Sequence, residues 1–177
     1  MKHLNIFALA VVCAAVFTTA CNKDEDPAKQ YKEWRQYNEN WLNEQLLKRN
    51  DDGSAYFTRC NLPTDNQQYV WMHNIGQIHT ENLKPLFTST TKVNYTLKLA
   101  NDSVVDKGAG FVTQLNSNAL ISGWGVAVMQ LHVGDSAQFI IPYTSAYGTV
   151  GTSTIPPYSN LVFNMRLTDI VAYEVRP

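Results

Sequence analysis

The sequence predicts an α+β protein: a mostly antiparallel sheet packed with one short helix, and a longer helix in front of it. Three observations predict this. Ala28 to Asn50 contains neither glycine nor proline and is rich in Glu, Gln, Lys and Leu, a composition that favours helix. After Gly53 the pattern changes to short alternating or apolar runs with turn residues between them, which is the pattern of strands. Within that second part only Ala119 to Met129 reads as helix, opened near Ser122-Gly123. Sheet and helix segregated in this way pack as α+β. The chain from Ser54 onward is long enough to bury one core, and it shows no internal repeat or second domain.

Each element has its own signal. In the front helix Tyr31, Trp34, Trp41, Leu42 and Gln45 recur at three, four and seven positions, one face of a 3.6-residue period. Asn50-Asp51-Asp52-Gly53 supplies its stop. Two uses of that face are open: packing on its own domain, or a partner or dimerisation surface carrying Trp34 and Trp41. The strand candidates are Tyr69 to Met72, Lys92 to Leu99, Val104-Val105, Phe111-Val112, Ala137 to Ile141 and Leu161 to Ile170.

The start of the chain reads as an address. Met1-Lys2-His3 precedes an apolar run from Ile6 to Val16 that is too short to span a membrane and stay, so residues 1–20 form a secretory signal. Thr18-Thr19-Ala20-Cys21 resembles a bacterial lipobox, with Thr18 where Leu is usual. Cys21 is then the lipidation site, and residues 21–29 are the lipidated Cys and its tether. A lipid would anchor the protein to a membrane without crossing it. The alternative is ordinary cleavage near Ala20 with a free thiol. The acidic run Asp24-Glu25-Asp26 resembles surface-export signals of bacterial lipoproteins, which points to the outer membrane of a Gram-negative bacterium. Residues 30–53 are the helical segment and 54–177 the folded domain.

Composition excludes several classes. The 177 residues carry 14 Lys+Arg against 15 Asp+Glu, so no basic stripe for nucleic acid exists. Of three cysteines, only Cys60 remains once Cys13 leaves with the signal and Cys21 takes lipid. No internal disulfide can then form in the oxidising compartment. No hydrolase elbow, phosphate loop or zinc spacing is present. His73, His79 and His132 lie far apart without a ligand pattern, so neither metal nor cofactor is expected.

The second half of the chain resembles the FKBP-type peptidyl-prolyl isomerases. Leu120-Ile121-Ser122-Gly123-Trp124 resembles the family's Val-Ile-x-Gly-Trp, and Val133-Gly134-Asp135-Ser136-Ala137 its Val-Gly-x-x-Ala. Ala146-Tyr147-Gly148, Ile155-Pro156-Pro157 and Leu161-Val162-Phe163 follow in family order and at near-family spacing. Tyr95-Thr96 and Val105-Asp106 match more thinly, and Phe111 aligns with a pocket aromatic once the segment after Asp106 is taken as shortened. The resemblance covers about Lys92 to Ile170.

The resemblance implies an FKBP-like twisted antiparallel sheet wrapped around one short helix, with a proline pocket. Tyr95, Val105, Phe111, Leu120, Ile121, Trp124, Ile155 and Phe163 would bind substrate, with Trp124 as floor. Tyr147, Asp106 and the backbone N–H of Ile121 would act on the bound amide. The loop between Ala146 and Pro157 would be the flap over the pocket, its glycines at 148 and 151 permitting backbone geometry that a Cβ forbids. Proline-containing polypeptides would be the substrates, those of exported or envelope proteins given the signal. The sequence departs from the family at Val105, where Phe is usual, in the shortened segment after Asp106, in a flap one residue short, and at Gly125 and Val126. These departures leave a second reading, a non-catalytic chaperone or peptide-binding lipoprotein of the same fold.

Overall fold

The structure is a computed structural model and describes residues 27–62 and 65–173; the signal, Cys21 and the acidic run after it lie outside the described residues. Two helical pieces open it, a single turn, α1 (Pro27–Gln30), and α2 (Lys32–Leu47), which together cover most of the stretch from Ala28 to Asn50 that the composition marks as helix. The helix ends before the Asn50–Gly53 stop signal because Lys48 turns extended and Arg49 bridges to Ala55. The stop residues instead close a small reversal, with Asn50 N–H donating to Ser54 O.

Six strands follow: β1 (Thr58–Leu62), β2 (Asp65–Ile75), β3 (Thr90–Leu99), β4 (Val104–Gln114), β5 (Ser136–Ile141) and β6 (Leu161–Ala172). They form one antiparallel sheet in the order β1-β2-β5-β6-β3-β4. The short helix α3 (Ser122–Val128) is narrower than the expected Ala119 to Met129. With it the chain has the FKBP-like α+β architecture the sequence predicted.

Strand alternation builds the core. Leu97, Phe163, Phe139 and Met72 pair across four strands in one row, and Leu99, Leu161 and Ile141 in another. These side chains share the sheet face that α3 covers, because every second residue of a strand points the same way. Gly123 to Val128 of α3 are all buried, as are Phe139, Leu161 and Leu167. Each large side chain fully buried there contributes about 1.5–3 kcal/mol.

Two edge elements escaped the sequence signals. β1 reads Thr-Arg-Cys-Asn-Leu, with no apolar alternation, because an edge strand buries little. β4 runs unbroken through Lys107-Gly108-Ala109-Gly110, where two short strands were expected. Its pairing with β3 is irregular near Tyr95 and again near Leu97, so the strand absorbs its glycines without ending.

The front helix packs on its own domain. Trp34 Nε1 donates to Ser159 Oγ at 2.9 Å, and Tyr37 donates its hydroxyl to Ala100 O. Asn38, fully buried between these, accepts the Asn160 N–H at Oδ1 and the Asn160 side-chain amide at its own carbonyl, both at 2.8 Å. Asn160 also accepts the N–H of Tyr143, which opens the short 3-10 turn (Tyr143–Ser145) leading into the expected flap. One buried amide thus ties together α2, the flap's start and the strand that follows the flap.

Candidate active site

The cleft begins with Trp124. It sits on the first turn of α3 because Gly123 brings that turn onto β5: a Cβ at 123 would overlap the Ile141 side chain and stand 3.0 Å from Ser145 O. Trp124 is 4% exposed and meets three aromatic rings near right angles: Tyr95 at 5.1 Å, Phe111 at 5.6 Å and Phe163 at 5.6 Å. Edge-to-face pairs of this kind are worth about 0.5–1.5 kcal/mol each. The Trp124 indole N–H is buried without a hydrogen-bond partner among the described residues, an arrangement that costs desolvation unless a ligand or water reaches it.

Around this floor lies a cleft of about 290 Å³ lined by Tyr95, Leu97, Asp106, Phe111, Ala119, Leu120, Ile121, Trp124, Tyr147 and Phe163. Tyr95 and Leu97 come from β3, Asp106 and Phe111 from β4, and Phe163 from β6. Leu120, in a bend, and Ile121, extended, lead into α3. Most of the residues expected from sequence are therefore together. Val105 and Ile155 are not among the lining residues: Val105 packs against the core from β4, and Ile155 is buried within it. Leu97 and Ala119 line the cleft without having been singled out. Alternation from Tyr95 would have reached Leu97, two residues along the same strand face; nothing in the sequence marked Ala119.

Polar groups stand at the rim. Tyr95 donates its hydroxyl to Asp106 Oδ2 at 2.6 Å, and Asp106 Oδ1 accepts the Lys107 N–H. Burial, then this bond and the charge of Asp106, push the Tyr95 hydroxyl well above the usual phenol range. Tyr147, 39% exposed, is also raised, by burial first and then by Asp106. Both hydroxyls stay protonated; the Tyr95 proton is committed to Asp106, so Tyr147 is the one that can donate to a ligand. The ring of Tyr95 can lie over β4 because residue 108 is glycine; a Cβ there would overlap the ring.

The flap is ordered by its own hydrogen bonds. Gly148 N–H donates to Tyr143 O, Gly151 N–H to Tyr147 O, and Thr152 N–H to Ile155 O. Gly148 and Gly151 have φ of 62° and 69°, the left-handed region expected of them. Pro156 O accepts the Ser159 hydroxyl that Trp34 in turn donates to.

An antiparallel sheet packed on one helix, with an apolar aromatic cleft and the Tyr147 hydroxyl at its rim, offers room for a small apolar group beside a hydrogen-bond donor. Comparison with known proteins agrees in detail. Residues 83–168 match the model of the FKBP-type peptidyl-prolyl cis-trans isomerases. FK506-binding protein 1 of Saccharomyces cerevisiae is 39% identical over 83 residues, 44% of this chain and 73% of the yeast protein. The FKBP-type 22 kDa peptidyl-prolyl cis-trans isomerase of Escherichia coli is 35% identical over 94 residues, 51% of this chain and 46% of that protein. A solved peptidyl-prolyl cis-trans isomerase from Pseudomonas syringae shares the fold, with a TM-score of 0.65 over 84% of this chain and 98% of that one at 19% identity. The chain belongs to the FKBP-type peptidyl-prolyl cis-trans isomerase family and is an enzyme of that type. No helix among the described residues is long and apolar enough to cross a membrane.

Proposed function

We propose that this isomerase turns X-Pro bonds of exported or envelope proteins from a lipid anchor at Cys21, at the outer membrane of a Gram-negative bacterium. The observation that supports the catalytic reading is one cleft lined jointly by Tyr95, Asp106, Phe111, Trp124, Tyr147 and Phe163. Support for the location is the signal-like start and the lipobox-like Thr18-Thr19-Ala20-Cys21.

Rotation about the amide faces a barrier of about 18–20 kcal/mol because resonance gives the C–N bond double-bond character. No covalent bond changes, so catalysis here is preference for the twisted amide over both planar forms. The apolar walls strip water from the planar amide, the more charge-separated form. Tyr147 donates to a substrate carbonyl and fixes the conformer being twisted. The Ile121 N–H is the second donor. Asp106 holds Tyr95 in place and sets a negative charge beside the rotating group.

We assign α2 to its own domain rather than to an oligomer, because Trp34, Tyr37 and Asn38 are bonded to Ser159, Ala100 and Asn160. A sedimentation profile showing a dimer that residues 30–50 control would reverse that assignment.

The test is NMR exchange of a short X-Pro peptide with the full chain beside Tyr147→Phe and Asp106→Ala. Faster exchange, weakened by either substitution, is the expected result. Exchange that is faster but indifferent to both would remove these residues from the mechanism. Mass spectrometry of the N-terminal peptide, against Cys21→Ser, tests the anchor.

A further inference from the structure

Beside the proline cleft lies a second groove of about 340 Å³. It is lined by Leu62, Asp65, Gln68, Phe87, Leu115 and the run from Asn116 to Ser122 without Ala119. Leu120 and Ile121 line both cavities, so one opens beside the other across this short segment. Tyr147 and Asp106 line only the first.

The groove depends on parts of the chain that the site above does not use. Leu62 and Asp65 come from the β1–β2 hairpin and Phe87 from the segment before β3. The Ser122 hydroxyl lies within hydrogen-bond reach of both Gln68 Oε1 and Ser145 O and shares its one proton between them, which joins β2 to the start of α3. Leu62, Leu115 and Phe87 make an apolar lining, and Phe87 is 41% exposed. Among the lining residues Asp65 is the one that ionises, and its Oδ1 accepts the Gln67 N–H, which orients the carboxylate.

We propose that this groove is a substrate subsite for a lysine or arginine lying within a few residues of the target proline. The proposal rests on the isomerase reading of the adjoining cleft. A chain held at Ile121 leaves the cleft over the segment that both cavities share, and an extended chain advances about 3.3 Å per residue, so its next side chains reach the groove. A long aliphatic stem covers Leu62, Leu115 and Phe87 while its cationic end stays near solvent, as lysine and arginine do on apolar surfaces. Asp65 supplies the opposite charge and the exposed Phe87 ring a face for the cation. An acidic side chain meets Asp65 without any basic lining residue to offset it, and is disfavoured.

The experiment scans Lys, Gln and Glu through three positions on each side of the proline in one host peptide, with the full chain as enzyme. At one position Lys is expected to raise kcat/KM about three- to fivefold over Gln, the size of an exposed ion pair with some stem burial. Asp65→Asn, which keeps the bond to Gln67, should remove that gain and leave the Gln peptide unchanged. Asp65→Lys should shift the preference to Glu. Equal rates for all three residues at every position, with catalysis intact, overturn the subsite while the isomerase reading stands. If no peptide is turned over, the isomerase reading fails. The subsite is then read from amide shifts of Leu115 to Asn118: movement by the Lys peptide but not the Glu peptide supports it, and no movement overturns it.

Discussion

Two aspartates, one at the rim of the cleft and one buried away from it, differ in how fully their oxygens are used. Asp106, exposed on edge strand β4, accepts one side-chain bond, from Tyr95, and one from its neighbour's N–H. Asp135, 3% exposed, accepts four: the N–H and Nδ1 of His79 at one oxygen and the N–H and Nδ1 of His132 at the other. An ionised carboxylate has about four lone-pair sites. Asp135 has used them all and is left with nothing to offer a ligand, whereas Asp106 keeps capacity facing the cleft. The four bonds of Asp135 join the segment before β3 to the turn before β5, two stretches with little regular structure of their own. A saturated buried carboxylate is a clasp; an unsaturated one at a cleft rim keeps acceptor capacity for whatever enters the cleft.

The sharpest way to break this contrast is Asp135→Ala. It leaves two backbone N–H groups and two imidazoles without their acceptor and should cost about 4 kcal/mol, or roughly 10 °C in Tm. The rate per folded molecule, measured well below the transition, should not change. A fall in that rate at unchanged Tm would mean the clasp serves the cleft directly.

Two effects of about half that size follow. Asn38→Ala leaves the Asn160 N–H buried without an acceptor, a loss of roughly 2 kcal/mol. Hydrogen exchange should then quicken at Tyr143 to Gly151, because Asn160 also holds Tyr143; unchanged protection there would separate α2 from the flap. The pH dependence of Asp135 is of similar size. Burial alone would raise its pKa, but the N–H groups of His132 and His79 and then their side chains outweigh burial and bring it to about 2 from the ordinary 3.8. A depressed folded pKa contributes stability that is complete above the unfolded value and disappears as pH falls toward the folded one. Between about pH 4 and 2 the wild type should therefore lose roughly 2 kcal/mol that Asp135→Asn does not lose. Parallel melting curves for the two proteins across that window would refute the assignment.

The smallest effects on stability are the most informative about the cleft. Asp106→Ala should lower kcat/KM about tenfold, equivalent to roughly 1.4 kcal/mol, with a stability change below about 0.5 kcal/mol. Tyr147→Phe removes one hydrogen-bond donor and should lower kcat/KM about fivefold. Should either variant melt early while keeping its rate, the division between rim and clasp would be wrong.

Legibility followed burial. Phe139, Ile141, Leu161, Phe163 and Met165 announced their strands because a two-residue period on a buried face is written in apolar residues. β1 and the middle of β4 were missed for the converse reason: exposed edge strands answer to pairing partners, which a single chain order does not reveal. The cleft was readable largely through resemblance, since Trp124 and Phe163 by themselves look like ordinary core aromatics. Val105 matched a family position, yet its side chain packs against the core beside the cleft. Histidines 79 and 132 looked unrelated because 53 residues separate them in the sequence, and only folding brings both to Asp135.

The sequence by itself determined the class of fold and the order of its main elements, because periodicity and glycine placement are local properties of a chain; resemblance to a known family supplied most of the residues around the cleft. The tertiary structure decided which pairs meet. It spent the tryptophan face of α2 on its own domain, set Asn38 against Asn160, packed Val105 against the core, buried Ile155 within it and opened a second groove beside Ile121. Each of those outcomes is a contact between segments distant in sequence, settled by which surfaces must leave water together, and no local pattern encodes that choice.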